Sequence, residues 1–462
     1  MTLPAKFVER VLRDLGGTEG AALCAALDAE PPVSVRLNPA KTGADTLPAG
    51  PDAGLPVPEA AGLPALAIAG RVPWSRDGRY LAVRPSFTLD PDFHAGAYYV
   101  QEASSQFVGH LLAAVRTEGA RILDLCAAPG GKTTLYASLA GPDGLVVANE
   151  IDRRRASVLA DNVRKWGTGN VAVTTCEPRA LGDFEAWFDV VAVDAPCSGE
   201  GMFRKDPDAR GEWSEGNVKQ CAARQDEILR EAWRALKPGG TLVYSTCTFN
   251  RDEDEGALER MAAWAGDEIA ESEETAVEDA WGIVCGRVGA FRTFRFYPHR
   301  TCGEGFFAAV ARKSFDAGGA RACAEGASHG ICGRGPEDRR RTGPLGAESR
   351  RYALRSGGRH LLCMVRRAGR RRADALRGVA RDLFGRGVGA GVQGGAETRS
   401  RAGFFRWAEP RGAARGGTGR RRDAALPAPA GHRRRRAGRG DEPRLLAGAC
   451  AGIRQTDRRT GE

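Results

Sequence analysis

From Gln101 onward the sequence alternates between short apolar segments and longer segments of helical periodicity. This alternation constrains the fold more than any other feature, because it predicts a wound α/β domain built around a mostly parallel sheet. The five predicted parallel strands are Arg121–Leu125, Leu145–Asn149, Val171–Thr174, Phe188–Val193 and Thr241–Ser245. Ligands of such sheets bind outside the carboxyl ends of the strands, so the residues directly after these segments are the candidates for a functional site.

The segments between and after these strands have helix and turn signals of their own. Three helices are predicted: one ending near Leu139, one from a cap at Asp152 to Lys165, and one over Asn217–Leu236. A Lys-Pro-Gly-Gly turn at 237–240 is expected to lead into the fifth strand. Two further strand-like segments, Phe291–Phe296 and Phe306–Ala311, are expected to close the sheet as an antiparallel pair.

The first hundred residues have a different pattern and predict a small α+β domain. Its expected elements are two helical and two extended segments, Lys6–Leu15, Ala21–Leu27, Ser34–Leu37 and Tyr80–Val83. A loop rich in proline and glycine, Leu47–Pro64, lies between the extended segments. We therefore expect an N-terminal α+β domain over residues 1–100 and the wound sheet over residues 101–313.

The charge is divided unevenly along the chain. Residues 1–313 contain 34 Lys+Arg and 44 Asp+Glu, a net charge of −10. Residues 314–462 contain 34 basic and 14 acidic residues, a net charge of +20, so that the two parts add up to 68 basic, 58 acidic and +10. All the basic residues of the second part are arginine, and the last lysine is Lys313.

Residues 314–462 therefore form an atypical segment rich in arginine and glycine, and three interpretations of it are open. It is a disordered Arg/Gly segment that binds RNA, a folded basic domain around apolar residues such as Leu361–Val365 and Phe404–Trp407, or the product of a shifted reading frame. We favour the shifted frame, because lysine vanishes while Arg, Gly and Ala increase and no apolar periodicity persists. No mechanism is built on this segment.

Several broad classes of protein are disfavoured. No segment approaches the ~18 apolar residues of a membrane span, and the first twenty residues lack the apolar core of a secretion signal. The 12 cysteines are scattered without a C-x-x-C spacing, so neither a metal site nor a disulfide framework is indicated. We expect a cytoplasmic protein with reduced thiols and no membrane partner, and nothing indicates an oligomer.

A glycine-containing loop comes directly after the first predicted strand. Its residues are Cys126, Ala127, Ala128, Pro129, Gly130, Gly131 and Lys132. The loop ends like a phosphate-binding loop, but Cys126 replaces the first glycine of that pattern, which counts against a nucleoside triphosphatase. We expect instead that the two glycines let the chain approach a nucleoside-linked methionine, with helix-start amides facing its carboxylate. Glu150, at the end of the next strand, is placed to bind ribose hydroxyls.

Two cysteines, Cys197 and Cys247, each come after a predicted strand at the same edge of the sheet. A thiolate that adds to carbon 6 of a cytosine makes carbon 5 nucleophilic enough to take a methyl group from a sulfonium. Asp194 can hydrogen-bond the base and stabilise its activated form. Such a base must be unpaired or flipped out of its stack. The chemistry alone does not tell which cysteine is the nucleophile.

These residues resemble the Nop/Sun family of RNA cytosine-5 methyltransferases, and within it the bacterial RsmF type that modifies small-subunit ribosomal RNA. The similarity runs from Ser34–Pro39 to Ala311–Lys313. Its longest stretch is DAPCSGEGMFRKDP at Asp194–Pro207, and it closes with YPHR at 297–300 and GEGFF at 303–307.

The resemblance implies a Rossmann-like sheet that binds S-adenosylmethionine and acts on RNA, either ribosomal RNA or the small ribosomal subunit. It assigns the loop at 126–132 and Glu150 to the cofactor, and Asp194 to both cofactor binding and catalysis. It makes Cys247 the nucleophile and Cys197 the residue that assists product release. Glu177 is the best match to an aspartate that the family places near the adenine. The alternative is a non-catalytic RNA-binding or ribosome-assembly factor that retains the fold.

Five further residues lie in or near these motifs and have alternative roles. Arg204 and Lys205 lie after the Pro-Cys turn and are expected to contact a substrate phosphate. Phe203 suits base stacking and core packing equally. Arg36 and Asn38 contact cofactor or RNA, or brace the two domains.

Overall fold

The protein was analysed as a computed structural model that describes residues 2–42 and 66–315. The predicted loop at 47–64 and nearly all of the basic segment at 314–462 lie outside the described residues. The helices are α1 Ala5–Leu15, α2 Gly17–Leu27, α3 Pro39–Thr42, α4 Pro91–Ala95, α5 Phe107–Ala113, α6 Gly131–Ala140, α7 Arg153–Trp166, α8 Pro178–Gly182, α9 Ala209–Glu212, α10 Glu215–Ala235 and α11 Glu255–Ala265. The strands are β1 Val33–Leu37, β2 Ile68–Arg71, β3 Gly78–Leu81, β4 Tyr98–Val100, β5 Arg121–Asp124, β6 Leu145–Asn149, β7 Val171–Thr174, β8 Phe188–Asp194, β9 Leu236–Thr246, β10 Ile269–Ala270, β11 Val284–Val288, β12 Phe291–Phe296 and β13 Phe306–Lys313.

The larger sheet is the predicted wound sheet. Its strand order is β11-β12-β13-β9-β8-β5-β6-β7, with β10 paired to β13. The five strands from β5 to β9 are parallel, and β11, β12 and β13 are antiparallel. The chain order reverses between β5 and β8, and this reversal places a ligand crevice at their carboxyl ends. The predicted Rossmann-like sheet is confirmed.

The parallel strands read as continuous apolar runs because helices cover both faces of the sheet. Val190–Val193 of β8 is buried along its whole length. Its even-numbered residues belong to one apolar cluster and its odd-numbered residues to another, one on each face. Asp152 caps α7 by accepting hydrogen bonds from the backbone of the first turn, as predicted.

One predicted boundary is wrong. The Lys-Pro-Gly-Gly turn at 237–240 lies inside β9, which begins at Leu236 directly after α10. The register against β8 shifts there, since Phe188 pairs with Leu236 whereas Val190 pairs with Thr241. The extra residues form an irregularity in the strand, and Gly239, at φ 73°, supplies the left-handed conformation that it needs.

The smaller sheet is antiparallel and has the order β2-β3-β1-β4. Strand β1 matches the predicted extended segment at 34–37, whereas β3 begins two residues before the predicted Tyr80. Apolar side chains of β1 and β4, among them Val35, Leu37 and Tyr98, form its core.

The first two helices pack on the loop that comes after β8. Phe7 of α1 contacts Phe203 and Trp213, with ring centroids 5.0 Å and 6.0 Å apart. Leu23 and Leu27 of α2 complete this cluster. The N-terminal helices therefore support the chain directly beyond the Pro-Cys turn. None of the described helices combines the length and the apolar character needed to cross a bilayer.

Candidate active site

The register between β8 and β9 brings the two predicted cysteines together. Asp194, the last residue of β8, pairs with Ser245 of β9. Cys197 lies three residues beyond this pair and Cys247 two residues beyond it, at the same edge. Their sulfur atoms are 3.1 Å apart, and the backbone N–H of Cys247 also points at the Cys197 sulfur, 3.4 Å away. A second link joins the loops, because Gly201 N–H donates to the carbonyl of Cys247.

The surroundings of Cys197 keep it protonated. The hydrogen bond to Cys247, burial, and the charges of Cys247 and Glu253 raise the pKa of the Cys197 thiol well above its ordinary value. Cys197 in its neutral form can donate its S–H to Cys247, although the contact itself allows either sulfur to be the donor. A third cysteine at this edge, Cys126, is a poor nucleophile, because burial raises the pKa of its thiol strongly and so disfavours the thiolate.

The carboxylate of Asp194 is held from two sides, by Lys132 and by Ser245. Lys132 Nζ lies 2.8 Å from one carboxylate oxygen, and Ser245 Oγ donates to the other at 2.8 Å. Burial opposes the charge of Lys132, but the pairing with Asp194 outweighs it, and the pKa of Lys132 is raised. Lys132 thus stays cationic between the glycine loop and the cysteines, with Phe306 beneath it.

A cleft of about 160 Å³ opens between the glycine loop and the residues directly after β4. Its lining comprises Tyr99, Val100, Gln101, Glu102, Ser105, Asp124, Cys126, Ala127, Ala128, Pro129, Gly131, Lys132 and Asp194. Gly130 has a φ of 110°, and a Cβ there would lie 3.0 Å from Leu159. The loop can therefore fold tightly against α7 only with glycine at this position.

Asp124 is a residue of the cleft that sequence reasoning missed. It is 1% exposed, and one carboxylate oxygen accepts from Thr133 Oγ1 at 2.6 Å. The other oxygen has no hydrogen-bond partner among the described residues. Burial raises the pKa of Asp124, and the hydrogen bond from Thr133 lowers it by a smaller amount, so that the pKa is about 7. A signal was present in the sequence, since an acid ends the strand just before the glycine loop.

The two predicted glutamates lie further along the sheet edge, outside the lining of this cleft. Glu150 is 3% exposed, accepts from Asp152 N–H at 3.0 Å and pairs with Arg155 at 3.3 Å. Arg155 also donates to the carbonyl of Ala128, so it connects Glu150 to the glycine loop. Glu177 is exposed and occupies the N-terminal cap position of α8 without a side-chain capping bond.

The N-terminal sheet reaches the glycine loop through Arg36. Its guanidinium donates to the Gly131 carbonyl at 3.0 Å, to Thr134 Oγ1 at 2.6 Å and to Gln101 Oε1 at 2.8 Å. Asn38 joins the same sheet to the carbonyl of Trp166 at the end of α7. Of the roles considered for Arg36 and Asn38, bracing is the one that these contacts support.

The expected phosphate contact of Arg204 is wrong. Its side chain is 6% exposed, pairs with Glu304 at 3.0 Å and donates to the Gly303 carbonyl, so it is not presented to a substrate. Lys205 is exposed. Phe203 is fully buried and belongs to the core, which excludes base stacking.

A larger cavity of about 520 Å³ lies between α1, α11 and the β11–β12 hairpin. Neither Cys197, Cys247 nor Asp194 lines it, and its buried arginines are paired, Arg10 with Glu200 and Arg295 with Asp254 and Glu255. The smaller cleft is therefore the candidate site in spite of its size, because polar groups converge on it. The described residues contain no group of three or more potential metal ligands.

Two family models match the chain. The N-terminal domain of 16S rRNA methyltransferase RsmF matches residues 3–103, and 16S rRNA methyltransferase RsmB/F matches residues 111–312. The ribosomal RNA small subunit methyltransferase F of Shewanella loihica is 38% identical over 252 residues, which are 52% of this chain and 50% of that protein. The enzyme of the same name from an Enterobacter species is 36% identical over 249 residues, 53% of this chain and 51% of that protein.

The chain therefore spans about half the length of the curated relatives it matches. Among solved structures, a methyltransferase homolog protein from Pyrococcus horikoshii is 27% identical, with a TM-score of 0.54. That likeness covers 67% of this chain and 94% of the archaeal one.

Proposed function

Residues 111–312 of this chain match the RsmB/F family of methyltransferases and residues 3–103 match the N-terminal domain of RsmF, and on that premise we propose that the protein methylates carbon 5 of a cytosine in small-subunit ribosomal RNA. The methyl donor of the proposed reaction is S-adenosylmethionine. The proposal assigns the chemistry to a methyltransferase domain at 101–313, with an N-terminal domain at 1–100, and places the protein in the cytoplasm.

The observation that carries the proposal is the pair of sulfur atoms 3.1 Å apart beside Asp194, at the edge where the sheet binds ligands. Two thiols in contact suit a reaction in which one sulfur bonds to the substrate and the other helps to break that bond. A single nucleophilic cysteine would explain only the first step.

The cleft has the features that the donor requires. Asp124 offers a buried carboxylate oxygen that has no hydrogen-bond partner within residues 2–42 and 66–315, which suits the ammonium group of a methionine moiety. The backbone of residues 126–131 and Lys132 would hold the methionine part, Glu150 the ribose hydroxyls, and Glu177 the adenine side. When bound, S-adenosylmethionine supplies an electrophilic methyl group on a sulfonium.

In the proposed reaction Cys247 is the nucleophile. Its thiolate bonds to carbon 6 of the cytosine, and the ring electrons shift so that carbon 5 can accept the methyl group. Asp194 accepts a hydrogen bond from the exocyclic amine and keeps the base oriented. A base then removes the carbon 5 proton, and the carbon–sulfur bond breaks. The S–H of Cys197 stabilises the departing Cys247 thiolate.

A methyl-transfer assay tests the proposal. The protein is incubated with methyl-labelled S-adenosylmethionine and either naked small-subunit ribosomal RNA or immature small subunits. The expected product is RNA that carries label at carbon 5 of cytosine, and Cys247→Ala should form none. RNA binding without any transfer by the unaltered protein would favour the assembly factor instead.

A further inference from the structure

Glu253 is a fully buried carboxylate between the two cysteine loops that the proposed chemistry does not use. We propose that Glu253 is a positioning residue, which holds the turn at 196–198 so that Cys197 stays in contact with Cys247. This inference rests on the proposed function and deepens it, because it assigns the control of product release to a residue that touches neither substrate nor cofactor.

The carboxylate of Glu253 is hydrogen-bonded to the residue after Cys197 and, through Gln225, to the residue before it. One oxygen accepts from the backbone N–H of Ser198 at 2.9 Å and from Gln225 Nε2 at 3.0 Å. The same Gln225 nitrogen donates to the carbonyl of Pro196 at 3.0 Å. Pro196 and Ser198 are the two neighbours of Cys197, so the Cys197 backbone is fixed directly on one side and through Gln225 on the other.

Glu253 is itself anchored to the segment that carries Cys247. Its other oxygen accepts from Asn250 Nδ2 at 2.7 Å, and its own N–H donates to Asn250 Oδ1 at 3.0 Å. The hydroxyl of Tyr244, in β9, donates to its carbonyl at 2.6 Å. The Ser198 hydroxyl also contacts Thr248 and Asn250, so loss of the carboxylate would loosen the backbone of the Cys197 turn without freeing it entirely. Cys247 comes directly after β9, which would keep it in place.

The site requires a carboxylate and not merely a polar group. All three groups that face its oxygens are donors: the Ser198 N–H and the amide nitrogens of Asn250 and Gln225. Glutamine at 253 would direct an NH₂ group at one of these donors and lose that contact. Glu200, a second buried acid, accepts from Phe249 N–H and Trp213 and does not contact the neighbours of Cys197.

The test compares the full chain with Glu253→Gln. In this variant we expect the covalent adduct with RNA to form but to be released more slowly, on the order of 10- to 100-fold, as in Cys197→Ala, because a small misplacement of a reacting group has effects of this size. Affinity for S-adenosylmethionine should stay within about twofold, since the cleft is untouched. A purely structural role would instead lower cofactor affinity and adduct formation together.

Asp189→Asn is the matched control. Asp189 is the second residue of β8, the strand that Asp194 ends, and it pairs with Arg121 and Lys237 at the opposite edge of the sheet. This variant should lower the melting temperature while adduct release keeps its wild-type rate.

A second readout needs no RNA. Diamide oxidises two thiols to a disulfide, and the two electrons and two protons reduce its diazene to a hydrazine. The rate of disulfide formation reports how often the two sulfur atoms come into contact. We expect Cys197–Cys247 disulfide formation to be about tenfold slower in Glu253→Gln than in the wild type.

Wild-type rates of adduct release and of disulfide formation in Glu253→Gln would overturn the proposal. If the unaltered protein forms no RNA adduct and transfers no methyl group, the proposed function fails, and the disulfide rate still decides the positioning role. Should Glu253→Gln not fold, Gln225→Met removes the contacts to Pro196 and Glu253. It is expected to slow both processes several-fold, and unchanged rates there would count against the inference in the same way.

Discussion

The sulfur atoms of Cys197 and Cys247 are in contact, yet their surroundings suit them to different steps. The raised pKa of Cys197 makes it a hydrogen-bond donor, whereas a nucleophile must be a thiolate. This contrast supports Cys247 as the residue that bonds to the base, a choice that the order of reaction steps by itself leaves open.

The two alanine variants should therefore behave differently. Cys247→Ala is expected to abolish the covalent adduct, because the proposal assigns the bond to carbon 6 to the Cys247 sulfur. Cys197→Ala should still form the adduct but retain it. A denaturing gel of each variant with labelled RNA measures this, and an adduct retained by Cys247→Ala but absent from Cys197→Ala would reverse the assignment.

Asp124 should make the stability of the cofactor-free protein depend on pH. Its pKa is 3.8 in an unfolded chain and about 7 in the fold, where burial favours the neutral form. The folded state binds the extra proton between these values, so this contribution is present at pH 4 and is lost as the pH rises through 7. Relative to Asp124→Asn, the wild type should lose about 2–3 kcal/mol of unfolding free energy between pH 5 and pH 8.

Urea denaturation of both proteins at the two pH values measures this difference. Asparagine keeps an oxygen to accept from Thr133 and cannot titrate, so Asp124→Asn isolates the effect of the carboxyl group. Equal pH dependence in the two proteins would show that Asp124 stays ionised in the fold.

At the scale of elements, β1 of the smaller sheet supports the glycine loop of the larger one. Arg36 is 3% exposed, lies over the ring of Trp166, and donates two hydrogen bonds at the start of α6 and one to Gln101. The cleft thus has one wall from each sheet. The smaller sheet is part of the proposed cofactor site and not merely an appendage to it.

Arg36→Ala should weaken the binding of S-adenosylmethionine by about tenfold, because the loop loses the groups that fix the Gly131 carbonyl and Thr134. Asn38→Ala is the control, since Asn38 joins the same sheet to Gly96 and Trp166 without touching the loop. Isothermal titration of both variants measures the affinities. Equal weakening in the two would indicate general loosening of the domain interface.

At the scale of the whole molecule, the family match ends at residue 312, next to the last lysine of the chain. The acidic first 313 residues carry a net charge of −10 and would repel an RNA backbone. Residues 1–313 by themselves are therefore expected to bind RNA weakly.

We predict that the coding DNA near the Lys313 codon contains a frameshift. Resequencing should reveal an alternate frame that encodes lysine-containing sequence with apolar periodicity. RNA binding by the present chain should then be weak and sensitive to salt, as measured by affinity at several salt concentrations. An alternate frame without such a pattern would refute the frameshift. The interpretation of residues 314–462 as an Arg/Gly segment that binds RNA would then be favoured.

Much of the fold could be predicted from local pattern. The parallel strands appear where short, largely apolar segments occur, because strands covered on both faces are mostly apolar. The exception, the turn at 237–240, looked like a boundary because proline and glycine usually end elements. In the structure this turn lies inside β9, because the strand pairs with β8 on both sides of it and the register shifts there.

The sequence by itself determined which chemical groups meet at the sheet edge. The carboxyl ends of parallel strands share one side of a sheet, and each of these groups lies at the end of a strand or just after one: Asp194, Cys197, Cys247 and the glycine loop. Only the tertiary structure decided how these groups are partnered. It left one oxygen of Asp124 without a partner among the described residues, buried Arg204 against Glu304, and placed Glu253 between the cysteine loops. Such partners are distant in sequence, and burial and hydrogen bonding depend on what packs nearby, which periodicity and spacing do not encode.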